Sequence, residues 1–214
     1  KINTPLIQAT DAAQPEEKTV IKKEPFSVLM LGVDERKEDS GRSDTMIVIT
    51  VNPEKQTMKM LSIPRDTRTE IVGHDTVDKI NHAYAFGGVP MAVDTVENFL
   101  NIPIDYYVFI NMEGFLQIID TLGGVTINND MDLTYDEYHY PEGEITLNGN
   151  EALIFSRIRY EDPRGDFGRQ IRQRQIIEAV MKKASTPSTL LKATDMLNVL
   201  GDNVRMNFSV KDLI

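Results

Sequence analysis

Between residues 156 and 175 the chain reads SRIRYEDPRGDFGRQIRQRQ. Six of the eleven arginines in 214 residues fall here, although the formal net charge is -10. A guanidinium is a planar fork that meets carboxylate or phosphate oxygens two at a time. The spacing predicts a helix from Gly168 to about Ala184. At about 100° per residue, Ile176, Ile177, Val180, Met181 and Ala184 form one apolar stripe. Arg169 and Gln173 continue that stripe toward the N-terminus, while Glu178 and Lys182 point away. An inward-facing arginine is costly unless an anion joins it. Two readings stand: internal salt bridges to Asp162, Asp166 or another carboxylate, or several forks converging on a diphosphate at a helix start. Arg157, Arg159, Arg169 and Gln173 taken together favour the second, because local carboxylates are fewer than arginines. Asp166, just ahead of the first turn, suits capping of free N–H groups. Arg164, Arg172 and Arg174 are expected to be solvated or paired.

Two further stretches have compatible chemistry. In LGVDERKEDSGRSDTM, Asp34 closes one predicted strand and Asp44 opens the next, with Arg42 between them. If the strands are neighbours the carboxylates converge at one sheet edge, a hard oxygen set suited to Mg²⁺ or Mn²⁺; turn capping is the competing explanation. In SIPRDTRTEI, Arg65 and Asp66 leave a strand just after Pro64, where ligands of α/β sheets commonly sit; a surface turn salt bridge competes. Lys79 and Asn81 add polar groups near an expected helix start, and His82 reads as structural. The chain has no GxxxxGK[ST], no GxGxxG opening a helix, no GxSxG and no HExxH. Carboxylate-held metal with clustered arginine suits phosphoryl transfer, which needs mainly positioning and charge stabilisation.

The elements that must hold these residues follow from the apolar pattern. FSVLMLGVD is an unbroken apolar run, as in a strand covered on both faces. TMIVITVN and MKMLSIP are further strands joined by PEKQ, followed by helical KINHAYAFGG and VPMAVDTVENFL, with Pro90 near a helix start. Strand YYVFINM, helix EGFLQIIDTL, short strand VTINN and an acidic, aromatic loop with a short edge strand come next. Helices are predicted over NGNEALIFSRIR, about 167–185 and STLLKATDMLNVL. This alternation predicts a three-layer α/β/α domain with a central mixed sheet. Residues 1–24 read as an extended tether, 25–214 as the domain.

Composition narrows the class. At 41 % hydrophobic and 26 % charged, the chain can bury a core. Its acidity speaks against a general nucleic-acid binder, whose affinity rests on phosphate neutralisation. Zero cysteines exclude a disulfide framework, a thiolate metal site and a cysteine nucleophile. No apolar run approaches the roughly 20 residues that span a bilayer. A first residue of Lys is expected of a fragment or processed form, with room for an anchor ahead of it.

LGVDER with GRSDTM, then SIPRDT, KINHAYAFGG, LNGNEALIFSRIRY and DFGRQIRQRQ follow in an order that resembles the LytR-CpsA-Psr family, specifically its bacillus-type wall teichoic acid transferases. The resemblance covers about Phe26 to Ile214. It implies an extracytoplasmic Gram-positive enzyme held by one N-terminal membrane helix. Such an enzyme moves an anionic glycopolymer from undecaprenyl pyrophosphate to a peptidoglycan sugar hydroxyl, usually the C6 hydroxyl of N-acetylmuramic acid, through a phosphodiester. It further implies an apolar lipid pocket between sheet and helices and Mg²⁺ at the pyrophosphate. Carried onto this chain, Asp34 and Asp44 take the metal side, with Arg42 beside them, and Arg65 stabilises charge on the pyrophosphate. Arg157, Arg159, Arg169 and Gln173 complete the cradle, Asp166 orients its arginines, and Lys79 and Arg36 assist. Asp66 or a metal-bound aspartate would take the hydroxyl proton. A binding module that presents the carrier to another ligase, or a hydrolase of the pyrophosphate, would use the same residues.

Overall fold

A computed structural model describes residues 24–34, 41, 43–186, 189 and 200–208. The tether, Arg36, Arg42 and most of the helix expected over STLLKATDMLNVL lie outside the described residues.

The apolar runs form one five-stranded sheet. Its members are β1 (Phe26–Val33), β2 (Ser43–Asn52), β3 (Thr57–Ser62), β6 (Tyr106–Asn111) and β11 (Val204–Met206), in the order β11-β6-β1-β2-β3. β1 is parallel to β6 and antiparallel to β2, so the sheet is mixed. Side chains alternate across β1, and both of its faces are covered. Leu29, Leu31 and Val33 enter a core with Met46 and Val48 of β2 and with Ala83, Ala92 and Val96 of α1 (His82–Leu100). Gly87 and Gly88 break that helix, and Pro90 restarts it from a position where a missing N–H costs little. The two helical stretches read from the sequence are therefore two segments meeting at a kink.

The opposite face of the sheet carries α2 (Met112–Thr121), α3 (Gly149–Phe155) and α4 (Asp166–Ala184). Asn111 ends β6 and caps α2, its Oδ1 accepting the Gly114 N–H at 2.8 Å. These helices share a second core with the ribbon of β7 (Val125–Asn129) and β10 (Gly143–Leu147); Ile119, Phe155, Ile158 and Ile176 are its fully buried centre. The architecture is thus α/β in three layers, with a helix on one face and helices on the other.

Two hairpins differ from the expected pattern. The acidic, aromatic loop folds back as β8 (Leu133–Tyr135) and β9 (Tyr138–Tyr140). β4 (Arg68–Ile71) pairs with β5 (Thr76–Lys79) in a stretch that gave no strand signal. Lys79 therefore ends a strand instead of opening a helix.

The helix expected over NGNEALIFSRIR stops at Phe155, because its next carbonyls are claimed from outside. Arg172 of α4, fully buried, donates from Nε to the Phe155 carbonyl at 3.1 Å and from Nη2 to the Ile158 carbonyl. Its Nη1 meets Asp162 Oδ2, also without solvent exposure. Arg164 wraps the same carboxylate, Nε to Oδ1 and Nη2 to Oδ2, each at 3.0 Å, and forks onto Asp130 at 2.6 and 3.1 Å. Two of the three arginines left as solvated or paired are thus structural; the third, Arg174, donates to Ser62 Oγ at 2.7 Å. Gly168 belongs to the same knot, since a Cβ there would overlap the Asp162 carboxylate.

Burial pushes the Asp162 carboxyl up, but hydrogen bonds from Arg164 and Arg172 outweigh it and carry it down to about 2. With an unfolded value near 3.9, the carboxylate binds fewer protons when folded, so its stabilisation is complete above about pH 4. It is lost as pH falls toward about 2. Asp162→Asn leaves Arg172 buried without its counter-charge and should cost about 3–5 kcal/mol in denaturant unfolding at neutral pH. The penalty should shrink progressively in unfolding runs from about pH 4 toward pH 2, as first the unfolded and then the folded parent chain protonates the same group.

Candidate active site

One edge of the sheet gathers the candidates. β1, β3 and β6 end there and β2 begins there, so Asp34, Asp44, Arg65 and Asn111 emerge side by side. The pairing of β1 with β2 runs Gly32 to Thr45 and then Val33 to Ser43, leaving Asp44 as an extra residue in a bulge. Consecutive strand residues ordinarily face opposite ways; a bulge breaks that rule and re-aims a side chain. Asp44 and Thr45 accordingly line the same pocket.

That pocket lies between the sheet and the helices, with a volume of about 210 Å³. Met30 and Ile110 of the sheet face Phe115 and Ile118 of α2 across it. Along α4 its wall passes from Arg169 and Gln173 to Ile176, Ile177, Val180 and Met181, the stripe read from the sequence. Glu178 and Lys182 are exposed on the far side. The result is an apolar trough with a charged mouth.

At the mouth, opposite charges alternate. Arg65 Nη1 meets Asp44 Oδ1 at 2.7 Å and its Nε lies 4.0 Å from Asp66; Lys79 Nζ meets Asp66 at 2.7 Å. The turn holding Arg65 and Asp66 is closed by the Thr67 N–H on the Pro64 carbonyl and fixed to the β4–β5 hairpin by the Ile80 N–H on Thr67. This hairpin is what brings Lys79 to Asp66. Asp44 holds the Arg65 guanidinium more firmly protonated. The Lys79 hydrogen bond, then the charges of Lys79, Arg65 and Arg159, hold Asp66 below the usual carboxylate range.

The α3–α4 side supplies the rest. Asp166 does not cap α4; Gly165 holds the cap position, and Asp166 in the first turn meets Arg169 Nη2 at 2.5 Å and Gln170 at 2.8 Å. Arg169 Nε is buried and, among the described residues, has no hydrogen-bond acceptor. Gln173 reaches the Ser156 carbonyl at 3.5 Å. Arg157 and Arg159 stand on the loop after α3. Arg157 lines the pocket against Met112 Sδ, and Arg159 lies 5.6 Å from the Tyr160 ring centroid. Neither forms a salt bridge among the described residues. Asp162, Arg164 and Arg172, which anchor this loop, were not singled out for the site; their only signal was six arginines outnumbering nearby carboxylates.

The salt-bridge reading holds for some members of the arginine cluster and leaves others without a carboxylate among the described residues. Arg164, Arg172 and Arg169 have carboxylate partners, whereas Arg157 lines the pocket without one, Arg159 lies by Tyr160 without one, and the buried Nε of Arg169 has no acceptor among the described residues. Among the described residues no three His, Asp or Glu side chains converge on a point. Asp34 and Asp44 line one pocket as a pair, which fits a cation that draws its remaining ligands from phosphate and water.

The fold and the site define a class: a three-layer α/β protein whose sheet edge sets carboxylates and an arginine at the mouth of an apolar trough. The chain belongs to the LytR_cpsA_psr family, which matches residues 3–214. It is 54 % identical over 209 residues to a Bacillus cereus polyisoprenyl-teichoic acid–peptidoglycan teichoic acid transferase, TagU, covering 98 % of this chain and 69 % of the relative. The chain spans 62–69 % of the length of the first curated relatives it matches. The crystal structure of B. subtilis TagU superposes with a TM-score of 0.76 at 53 % identity, over 89 % of this chain and 79 % of that one. A structure of TagT bound to LIIa-WTA superposes at 0.74 and 35 % identity, over 93 % and 75 %.

The Lys79–Asp66 contact can be read directly. In Lys79→Met the Asp66 carboxyl should titrate at higher pH than in the parent chain, because the hydrogen bond from Lys79 and its positive charge are removed together. Carbon-detected NMR titration of the aspartates checks this; an unmoved midpoint would mean that Arg65 and Arg159 suffice.

Proposed function

We propose that this chain is a phosphotransferase that moves an anionic cell-wall glycopolymer from undecaprenyl pyrophosphate to a sugar hydroxyl of peptidoglycan. The observation that carries the proposal is the trough itself, apolar along α4 and charged at its mouth, which matches a long apolar tail ending in a diphosphate. Teichoic acid is the polymer the relatives' names supply, and wall teichoic acid is the form proposed here. The working place is the outer face of a Gram-positive cell membrane, where carrier and peptidoglycan meet, with an N-terminal membrane helix as the anchor.

In this reading the tail lies against Met30, Ile110, Phe115, Ile176 and Val180. Arg157, Arg159, Arg169 and Gln173 hold the pyrophosphate, the buried Nε of Arg169 gaining an acceptor. Asp34 and Asp44 are the residues that would hold Mg²⁺, or Mn²⁺, which would offset diphosphate charge. The acceptor hydroxyl attacks the phosphorus that bears the polymer, forming the new P–O bond. The bond to the bridging oxygen breaks, and undecaprenyl phosphate leaves with its electron pair. Arg65, kept charged and aimed by Asp44, stabilises the oxygens that gain charge. The hydroxyl proton passes to Asp66 or to solvent. Lys79 makes Asp66 a weak base, and a loose phosphoryl transfer asks little of one.

Purified protein, a defined undecaprenyl-pyrophosphate-linked donor and uncrosslinked peptidoglycan should yield polymer covalently bound to glycan. Arg65→Ala should cut this at least about 100-fold, the scale of losing a transition-state donor, with an unchanged circular dichroism spectrum. Chelation should abolish product, and Mg²⁺ should restore it. Tight donor binding without product would instead mark a binding module, and free polymer phosphate without acceptor a hydrolase.

A further inference from the structure

Among the described residues the most exposed bulky hydrophobics are Tyr160, at 88 %, and Phe167, at 73 %. Single exposed apolar residues need no explanation. These two, however, stand seven positions apart on the segment that carries the site's arginines. The segment is fixed from beneath by Asp162, Arg164 and Arg172, so both rings are displayed from a firm base. The Arg159 guanidinium lies over one face of Tyr160, an attraction that orients the ring and leaves the other face open. The sequence neighbours of both rings reach the same turn: Arg159 acts electrostatically on Asp66, and Asp166 on Arg65.

The direction of the trough selects what Tyr160 meets. From Arg169 to Met181 its wall on α4 changes from polar to apolar over about 18 Å of helix. An apolar tail leaves the phosphate site toward Met181. Whatever is joined to the other side of the phosphates leaves past the start of α4, on the side of the loop where Tyr160 stands beside Arg159, which acts on Asp66. Exposed Glu161 beside Tyr160, on a chain of net charge -10, is unfavourable against an anionic bilayer but supplies an acceptor for hydroxyl groups. An aromatic face attracts the weakly positive C–H bonds of a sugar ring.

We infer that Tyr160 is a stacking platform for a pyranose ring next to the transferred phosphate. The inference rests on the function proposed above and adds the residues that read sugar. The ring is either the phosphate-linked sugar of the donor or the acceptor sugar of peptidoglycan, which share this chemistry.

The test compares Tyr160→Ala and Tyr160→Phe with the parent chain, and Phe167→Ala, a likewise exposed ring on the far face of α4, is the control expected to change nothing. The probes are undecaprenyl pyrophosphate alone, the same lipid bearing a disaccharide, uncrosslinked peptidoglycan and phosphatidylglycerol vesicles. Tyr160→Ala should weaken binding of the disaccharide-bearing lipid about tenfold while leaving the sugar-free lipid unchanged, and Tyr160→Phe should restore it. That result assigns the donor sugar. A raised KM for peptidoglycan with both lipids bound normally assigns the acceptor sugar. Equal weakening of both lipids, no change in any arm, or a loss confined to vesicle binding overturns the platform. A parent chain that fails to bind even the sugar-free lipid overturns the proposed function and this placement with it. Unchanged thermal midpoints, expected for side chains this exposed, keep folding out of the comparison.

Discussion

Arg172 and Asp162 meet in the interior with neither side chain exposed, and the course of the chain from Ser156 to Gly165 follows from that contact. Removing two charges from water is expensive, and their mutual attraction repays it only when further hydrogen bonds satisfy what remains. Here the guanidinium also takes the carbonyls of Phe155 and Ile158, and the carboxylate also takes Arg164. Those carbonyls are the ones an extended α3 would have used for itself. Ending the helix takes Arg157 and Arg159 out of a regular spiral, and Arg157 lines the pocket. A buried pair of this kind contributes more to where the chain goes than to how stable it is.

Preorganisation at the mouth uses the same means in weaker form. Three cations near the trough are each held by an anion: Arg65 by Asp44, Lys79 by Asp66, Arg169 by Asp166. These pairs are partly solvated and contribute little to stability. They fix rotamers of long side chains before any ligand arrives, which lowers the ordering cost of binding. The bulge at Asp44 serves that end in the backbone, turning a residue that the pleat would have sent elsewhere.

What could be read in advance was whatever repeats. The α4 stripe follows from the 3.6-residue period, and Arg169 and Gln173 fall on the pocket wall with Ile176 and Val180 as the wheel places them. The unbroken run in β1 marked a strand covered on both faces. The β4–β5 hairpin escaped because RTEI and TVDK are four-residue strands with mostly polar or exposed side chains, and their pairing is fixed by the turn between them. The end of α3 escaped because the group that stops it, Arg172, is seventeen residues beyond Phe155. Asp166 looked like a cap because a carboxylate before a helix usually is one; only coordinates reveal that Arg169 has taken it.

The interior is built as two separate packings, one between the sheet and α1, the other among α2, α3, α4 and the β7–β10 ribbon, with the trough running along the seam. Proteins ordinarily fill such a seam with their own side chains. Here the two halves are pinned across the gap, Gly114 of α2 lying against the Asn203 backbone and Arg174 of α4 donating to Ser62 of β3. The opening is therefore held between fixed walls, and an apolar guest lying in it would finish a packing that the chain itself leaves incomplete.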